Sequence, residues 1–251
     1  MNWNGIELPD KPYYQDDAVV IYHTDCRDIL PLLPDKSIDL VLTSPPYDDL
    51  RLYFGNSFDM EHFKLVALGL EAIIAEGGVI VWVVGDQVYN GSETGTSFKQ
   101  ALYFKEIGLN LHDTMIYHKY ARFPDSTRYF QEFEYMFVIS KQQPKTIHFI
   151  EDVIRSPRNR IKEVGTKRKR DGSLIFWSAN LKDTPTRRRG NVWSYGVATN
   201  DTCPEHPASF PTGLALDHIV SWSNPSDLIL DPFLGSGTTA YCAKKLGRKC
   251  I

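Results

Sequence analysis

The sequence predicts an α/β protein with a doubly wound, mostly parallel sheet that is interrupted by one basic insertion. Two observations carry this prediction. Short β-branched apolar runs alternate with helical stretches on both sides of a segment that breaks the alternation. The 251 residues allow one large domain, and an apolar content of 42% is enough for a sizeable core. Wholesale disorder is therefore excluded.

The first half of the chain sets the alternating pattern. Residues 18–23 are short and β-branched, which predicts a buried strand, and a short helix follows over 26–33. Asp59 can cap a helix whose apolar residues recur at helical spacing up to Gly77 and Gly78. The remaining predictions here are strands over 38–43, 79–84, 109–119 and 134–140, and a helix over 97–107.

The pattern weakens after residue 145 and resumes at Pro211. A helix is predicted over 212–223, a strand over 228–230, a glycine-rich turn, a helix over 238–246 and a strand from Lys249. The chain is therefore divided into residues 1–144, an insert over 145–200, and residues 201–251.

The insert concentrates positive charge. Between Arg155 and Arg189 twelve lysines and arginines face three acidic residues, a net +9, whereas the whole chain carries −3 and the remainder therefore −12. A basic segment on an acidic body indicates contact with a polyanion; the alternative is a solvated loop.

Several classes of protein are excluded by simple features. The longest strongly apolar run, 79–84, is too short to span a bilayer, and no signal peptide is expected at the N-terminus. The cysteines form no Cys-x-x-Cys pair, which argues against a disulfide framework or a zinc ribbon and favours a cytoplasmic location. His112 and His118 have no metal-site spacing, so no metal is expected.

A glycine-rich motif lies between the strand at 228–230 and the next helix. It reads Asp-Pro-Phe-Leu-Gly-Ser-Gly-Thr-Thr over 231–239, and Gly235, Gly237 and Ala240 fit the Gly-x-Gly-x-x-Ala form of a nucleotide loop. The start of the helix offers free N–H groups to an anionic ligand group. No Gly-x-x-x-x-Gly-Lys-Ser/Thr is present, so this is not an ATP or GTP loop.

A second motif, Thr43-Ser44-Pro45-Pro46-Tyr47, follows the strand at 38–43. Ligands of open α/β sheets bind at such strand ends. The prolines fix the backbone and bring no N–H, so their carbonyls suit an acceptor array aimed at an amine. Ser44 adds a hydroxyl, and Tyr47 adds a ring for stacking.

Together the two motifs resemble those of the amino-methyltransferases of DNA. Residues 44–47 match that family's catalytic motif, and 231–239 match its cofactor motif. Further matches lie at 25–26, 77–78, 128–130, 134–135 and 206–211. The order is similar to that of the β class, with a circularly permuted class I methyltransferase fold. In that class the segment between the motifs recognises the target, and here it carries the +9 cluster.

The resemblance implies a division of labour. Residues 1–144 would be the catalytic half, 145–200 the target-recognition insert, and 201–251 the cofactor-binding half. An acidic residue that holds the ribose is expected about 20 residues beyond the loop. That position falls past Ile251, so the cofactor half is expected to be truncated at its C-terminus.

The resemblance also assigns the site residues. S-adenosyl-L-methionine is the expected cofactor and double-stranded DNA the expected partner. The catalytic residues would be Ser44, Pro45, Pro46 and Tyr47. The cofactor-binding residues would be Asp25, Cys26, Thr43, Phe210, Asp231, Pro232, Phe233, Gly235, Ser236, Gly237 and Thr238. The DNA-binding residues would be Arg155, Arg158, Arg160, Lys167, Arg168, Lys169, Arg170, Arg187, Arg188 and Arg189. Trp193 is assigned to core packing.

The implied reaction is direct methyl transfer to the exocyclic amine of a flipped base, in the manner of restriction-modification enzymes. Ser44 at the first motif position is typical of cytosine N4; adenine N6 is the alternative. None of the fifteen prolines precedes a cysteine, which argues against methylation of a cytosine ring carbon.

A catalytically idle DNA-binding protein and an RNA or small-molecule methyltransferase are less favoured. A nuclease is disfavoured because the expected Glu-x-Lys is absent. A cognate restriction endonuclease, and the choice between monomer and homodimer, stay open.

Overall fold

The computed structural model describes residues 1–3, 5–46, 58–120, 126–153, 162–180, 186–196 and 211–251. Their contacts form two units, Met1–His148 with Asn191–Ile251, and Phe149–Gly190. Of the helices in these ranges, each is too short or too polar to cross a membrane.

The elements are numbered in chain order. The strands are β1 (Asn2–Trp3), β2 (Ile6–Glu7), β3 (Tyr14–Gln15), β4 (Val20–Ile21), β5 (Ile38–Thr43), β6 (Ile74–Val84), β7 (Val88–Tyr89), β8 (Ser92–Glu93), β9 (Asn110–Lys119), β10 (Phe133–Ser140), β11 (Glu151–Val153), β12 (Lys162–Arg168), β13 (Leu174–Asn180), β14 (Thr186–Arg188), β15 (Val192–Tyr195), β16 (Leu228–Leu230) and β17 (Lys249–Cys250). The helices are α1 (Cys26–Ile29), α2 (Met60–Ile73), α3 (Thr96–Glu106), α4 (Thr212–Trp222) and α5 (Thr238–Lys245), and a 3-10 turn covers Leu30–Leu32.

The larger unit is built on a seven-stranded sheet in the order β15-β9-β10-β6-β5-β16-β17. Strand β10 runs antiparallel to both of its neighbours, and every other neighbouring pair is parallel. This confirms the predicted mostly parallel sheet. Strands β5 and β16 are neighbours, with Leu230 opposite Val41, although the insert separates them in sequence.

One face of the sheet is covered by α2 and α3. Phe63 of α2, Trp82 of β6 and Phe104 of α3 are fully buried, and their ring centroids lie 5.3–5.6 Å apart in edge-to-face contacts. The buried indole of Trp82 donates through Nε1 to Gln100 Oε1 at 2.8 Å. The predicted cap of α2 is present, because the Asp59 carboxylate accepts from the His62 backbone N–H at 2.9 Å.

The other face is covered by α4, which packs on α5, β5 and β15. His218 of α4 is buried, its ring centroid 4.6 Å from that of Trp193. Trp222 Nε1 donates to His218 Nδ1 at 3.2 Å, and Met136 Sδ lies 3.2 Å from His218 Nε2. Burial lowers the pKa of His218 to about 3, so the imidazole is neutral at pH 7. The expectation that Trp193 packs in the core is confirmed.

Two sequence predictions differ from the structure. Of the strand predicted over 18–23, Val20–Ile21 pairs with Tyr14–Gln15, and Val19 forms an isolated parallel bridge to Cys250 of β17 at the edge of the main sheet. Asp16 accounts for this, because its carboxylate accepts from the Ala18 and Val19 N–H groups at 2.8 Å and turns the chain. Helix α2 ends at Ile73, and the glycine pair after it lies inside β6 rather than before it.

The smaller unit has more regular structure than its lack of periodicity indicated. Two antiparallel pairs are present, β11 with β14 and β12 with β13. Strand β15, which follows this unit, belongs to the main sheet and pairs with β9.

The buried His218 makes a prediction about stability at low pH. The unfolded chain takes up a proton near pH 6.5, whereas the folded chain does so near pH 3. The free energy of unfolding should therefore fall as the pH drops below about 6.5, by about 1.4 kcal/mol per pH unit from this group. Urea unfolding at pH 7.5, 6 and 5 measures this dependence. In His218→Gln the number of protons taken up on unfolding at low pH should be smaller by about one. The exposed Thr114→Val, which changes no titratable group, is the control and should keep the wild-type dependence; an unchanged dependence in His218→Gln would contradict the neutral buried state.

Candidate active site

The two motifs meet at one edge of the sheet. Thr43 ends β5, Asp231 follows β16, and these strands are parallel neighbours. Thr43 Oγ1 donates to Asp231 Oδ1 at 2.6 Å, across 188 positions of sequence. The motifs that were predicted separately therefore form one site at the carboxyl ends of β5 and β16.

Asp231 organises the start of the glycine loop. Its Oδ1 also accepts from the Phe233 backbone N–H at 3.1 Å. Burial raises the pKa of the Asp231 carboxyl, and hydrogen bonds from Thr43, Thr239 and the Phe233 N–H act in the opposite direction. The carboxylate thus holds β5, the loop and the start of α5 together.

The loop turns on two glycines with positive φ, Gly235 at +54° and Gly237 at +80°. A Cβ on Gly237 would meet no atom within 4 Å, so the backbone conformation rather than crowding requires glycine there. Gly237 caps α5, whose first N–H groups have no partner within the helix. This geometry suits the carboxylate of an amino-acid ligand at the start of α5.

An aromatic wall borders the loop. The Phe233 ring is half-buried, with its centroid 5.1 Å from that of Phe58 and 6.2 Å from that of Trp82, so the core fixes it. Sequence reasoning missed Phe58. Its position just before the Asp59 cap, with Phe63 four residues after the cap, has the pattern of a hydrophobic staple and could have indicated it.

Asp25 and Cys26 begin α1. Asp25 caps the helix by accepting from the Arg27 N–H at 2.9 Å, and it pairs with the Arg27 guanidinium at 2.5 Å. Arg27 and, more weakly, His62 lower the pKa of Asp25, which places this cap near the start of α2. Burial raises the pKa of the half-buried Cys26 thiol to about 11, so it stays a thiol.

Of the Ser44–Tyr47 motif, the structure describes Ser44, Pro45 and Pro46. Ser44 and Pro46 are half-buried and Pro45 is buried, directly after β5. The adjacent β6 pairs Trp82 with Thr43 and runs on to Val84, so it flanks the motif. Tyr47 and Phe210 lie outside the described residues.

The same edge carries polar residues that sequence reasoning left out. Asp86, just after β6, accepts from the Ser97 N–H at 2.9 Å and from Ser97 Oγ at 2.5 Å, which ties down the start of α3. Lys119 at the end of β9 pairs with Glu134 of β10 at 2.9 Å, largely out of solvent. An acidic residue directly after a strand was the available signal for Asp86. Among the described residues no group of three His, Cys, Asp or Glu is placed to hold a metal ion.

The basic residues belong to the smaller unit. Lys167, Arg168, Lys169 and Arg170 are exposed at one end of the β12–β13 pair, and Arg187 is exposed on β14. Two neighbours of Arg187 are engaged: Arg188 lies 3.5 Å over the Phe149 ring, and Arg189 Nε donates to Asp152 Oδ1 at 2.8 Å. Arg155, Arg158 and Arg160 lie outside the described residues.

A family model described as DNA methylase, of the N6 and N4 type, matches residues 38–251. The chain belongs to this family. It is an amino-methyltransferase of DNA that depends on S-adenosylmethionine, as the two motifs predicted. It is 50% identical over 224 residues to the orphan methyltransferase M.BamHII of Bacillus amyloliquefaciens, covering 86% of this chain and 83% of the relative. It is 27% identical over 242 residues to the type II methyltransferase M.ScaI of Streptomyces caespitosus, covering 95% and 77%.

Solved structures share the fold. The PvuII cytosine-N4-specific DNA methyltransferase superposes with a TM-score of 0.71 at 21% identity, over 98% of this chain and 84% of that one. A putative DNA modification methylase from Thermus thermophilus, complexed with S-adenosyl-L-methionine, gives 0.57 at 23% identity, over 90% and 84%. The predicted class I methyltransferase-like fold is confirmed.

The bond between the motifs can be tested by Thr43→Val, which is close in volume but lacks the hydroxyl. Losing a donor to the half-buried Asp231 carboxyl should lower the free energy of unfolding by about 1–3 kcal/mol. It should also weaken S-adenosylmethionine binding, measured by titration calorimetry, because the loop loses its anchor. The exposed Thr114→Val on β9 is the control and should change neither quantity. Equal cofactor affinity in Thr43→Val and wild type would show that this bond does not set the loop.

Proposed function

We propose that this enzyme methylates the exocyclic amine of a flipped base at a specific sequence of duplex DNA, with cytosine N4 as the target. One observation carries the proposal. The Thr43–Asp231 hydrogen bond sets the acceptors at 44–46 beside the glycine loop, at one sheet edge. An amine held by the Ser44–Tyr47 motif would then meet a group bound by the glycine loop.

The residues around the loop fit the cofactor. The first N–H groups of α5 and the open space at Gly237 suit its methionine end, beside Asp231, Pro232, Phe233, Gly235, Ser236 and Thr238. Asp25 and Cys26 would lie at its adenine end, and Phe210 is kept in the proposal as a packing residue. When bound, S-adenosylmethionine supplies a methyl group on a positively charged sulfur.

The chain's own contribution is positioning. Ser44 Oγ and the Pro45 carbonyl would accept hydrogen bonds from the target amine, drawing its lone pair out of conjugation with the ring. Proline adds no competing N–H at this point. Tyr47 would stack on the flipped base. This scheme uses no covalent enzyme intermediate and no metal.

Cytosine N4 is favoured by two features. Ser44 stands at the first position of the motif, and the PvuII enzyme, the neighbour with a TM-score of 0.71, is described as cytosine-N4-specific. Adenine N6 presents the same conjugated amine and belongs to the same family, so the choice of base needs a direct measurement.

The decisive experiment supplies tritiated S-adenosylmethionine with unmethylated genomic DNA or with RNA. We expect label in DNA only, recovered as N4-methylcytosine after digestion to nucleosides. Sequencing that separates modified cytosine from modified adenine would then give the recognition sequence. Recovery as N6-methyladenine would overturn the assignment of the base, and label in RNA alone would overturn the proposal.

Ser44→Ala tests the catalytic role of the Ser44–Tyr47 motif. Removing one acceptor of the target amine should lower kcat about 100-fold, while the Kd for S-adenosylmethionine stays within about twofold. Ser37→Ala is the matched control, because it lies just before β5, at the far end of that strand, where its hydroxyl donates to Pro34 O. A Ser44→Ala enzyme that loses cofactor affinity instead would show that the motif is misassigned.

Arg187→Gln tests the basic residues of β14. Arg187 is exposed, whereas Arg189 is paired with Asp152, so Arg187 gives the cleaner variant. The slope of log K for DNA against log salt should fall by about 0.9. Lys105→Gln, an exposed change of equal charge at the end of α3, is the control. A slope equal to that of the wild type would show that Arg187 is a solvated side chain that does not contact the DNA.

We also infer that the enzyme works in a reducing cytoplasm. Cys26, Cys242 and Cys250 are free thiols, and the last two are buried.

A further inference from the structure

Strands β12 and β13 form a ribbon with a well-built turn. Lys169 N–H donates to Ser173 O at 2.8 Å, and Gly172 N–H donates to Lys169 O at 3.0 Å. The Asp171 carboxylate accepts from Ser173 N–H at 2.9 Å and from its hydroxyl at 2.7 Å. Gly172 takes the positive φ, +85°, that this turn needs. The turn therefore fixes the register of the two strands.

The register sorts the side chains onto two faces. Thr166 pairs with Phe176 and Arg168 with Leu174, which defines a front face. The back face holds Gly165 with Trp177 and Lys167 with Ile175. The Trp177 ring lies against Gly165, since a Cβ there would be 2.8 Å from Trp177 Nε1. The back-face indole is therefore already engaged by its own ribbon.

The front face is uncovered. Every residue from Thr166 to Trp177 is exposed, and the front-face Phe176 and Leu174, at 81% and 52%, are more accessible than the back-face Ile175 and Trp177, at 41% and 43%. A two-stranded hairpin is at best marginally stable alone in water. A run of four large apolar residues, 174–177, on such a hairpin indicates a surface that is covered in use.

The charge of the β12–β13 ribbon indicates which kind of partner covers its front face. Five basic residues face two acidic ones over 162–180, and four of the basic residues stand consecutively at 167–170 beside the turn. The remainder of the chain outside the basic segment is strongly acidic. A basic ribbon of this kind complements a polyanion, and the family acts on DNA.

We propose that the β12–β13 ribbon enters the major groove of the target DNA and reads bases with its front face. Adjacent strands lie about 4.8 Å apart, so a ribbon with its side chains fits a groove about 12 Å wide but not the minor groove of about 6 Å. Seven residues extend about 24 Å, which matches about seven base steps. This inference rests on the proposed function.

Each front-face side chain has a matching partner on the bases. The Arg168 Nη1 donates to Gly172 O at 3.1 Å, which orients a guanidinium whose other N–H groups can bind guanine O6 and N7. Thr166, Leu174 and Phe176 offer apolar contact to thymine methyl groups. Lys167, Lys169 and Arg170 supply phosphate contacts, which position the ribbon without reading sequence.

The test compares the same change on the two faces. Front-face variants Arg168→Gln and Phe176→Ala are matched with back-face variants Lys167→Gln and Ile175→Ala. The measured quantity is a ratio of two Kd values at fixed salt. The first is for a duplex in which one base pair of the recognition sequence is changed, and the second is for the unmethylated recognition sequence itself. Front-face variants should lower this ratio about tenfold, and back-face variants should leave it within about twofold. Arg168→Lys, which keeps the positive charge but loses the paired N–H groups of the guanidinium, should also lower the ratio.

The groove is tested separately on the wild type. Guanine N7 in the site should be protected from dimethyl sulfate, and the minor-groove ligand netropsin should not displace the enzyme. Three results would overturn the ribbon proposal alone, provided that the wild-type enzyme still labels DNA. They are displacement of the enzyme by netropsin, lack of N7 protection, and an equal fall of the Kd ratio in front-face and back-face variants. If a front-face variant loses its cofactor affinity or cooperative melting, Arg168→Lys decides in its place. A wild type that labels no DNA would overturn the proposed function, and the ribbon proposal with it.

Discussion

The site depends on one contact between distant parts of the chain, the hydrogen bond from Thr43 to Asp231. It is short, it is shielded from solvent, and it joins the ends of two parallel strands that the insert keeps apart in sequence. The half-buried Asp231 carboxyl needs its donors, since a polar group that is removed from water without a partner is costly. The same group therefore stabilises the sheet edge and fixes the glycine loop, where we propose that the cofactor binds.

The rest of the edge follows from strand direction. Because six of the seven strands point the same way, their carboxyl ends collect Ser44 to Pro46, Asp86, Lys119 and the glycine loop in one region. The two faces of the sheet are packed differently. Edge-to-face aromatic rings lie under α2 and α3, and a neutral histidine between two tryptophans lies under α4. Charge is also divided between an acidic larger unit and a basic smaller unit, which suits an enzyme that acts on DNA, a polyanion.

Periodicity predicted the main elements well wherever packing follows it. The bounds of β5 and β16 and the cap of α2 agree with the prediction, since apolar runs and a capping aspartate are local signals. The strand predicted over 18–23 is shorter than expected, because Asp16 turns the chain through side-chain bonds that a β-branched run does not reveal. The ribbon at 162–180 was missed because both faces are exposed over 166–177, so no alternation of apolar and polar residues marks it.

The sequence by itself determined the chemistry. Proline, serine and glycine at fixed spacing after apolar runs specify backbone conformations and acceptors that few other residues supply, and they were sufficient for the family, the cofactor and the reaction. Only the tertiary structure decided which groups meet. The Thr43–Asp231 bond, the Phe58–Phe233 contact and the pairing of Arg189 with Asp152 join residues far apart in the chain. Strand order and register, which set those distances, result from packing over the whole sheet and leave no mark at any single position.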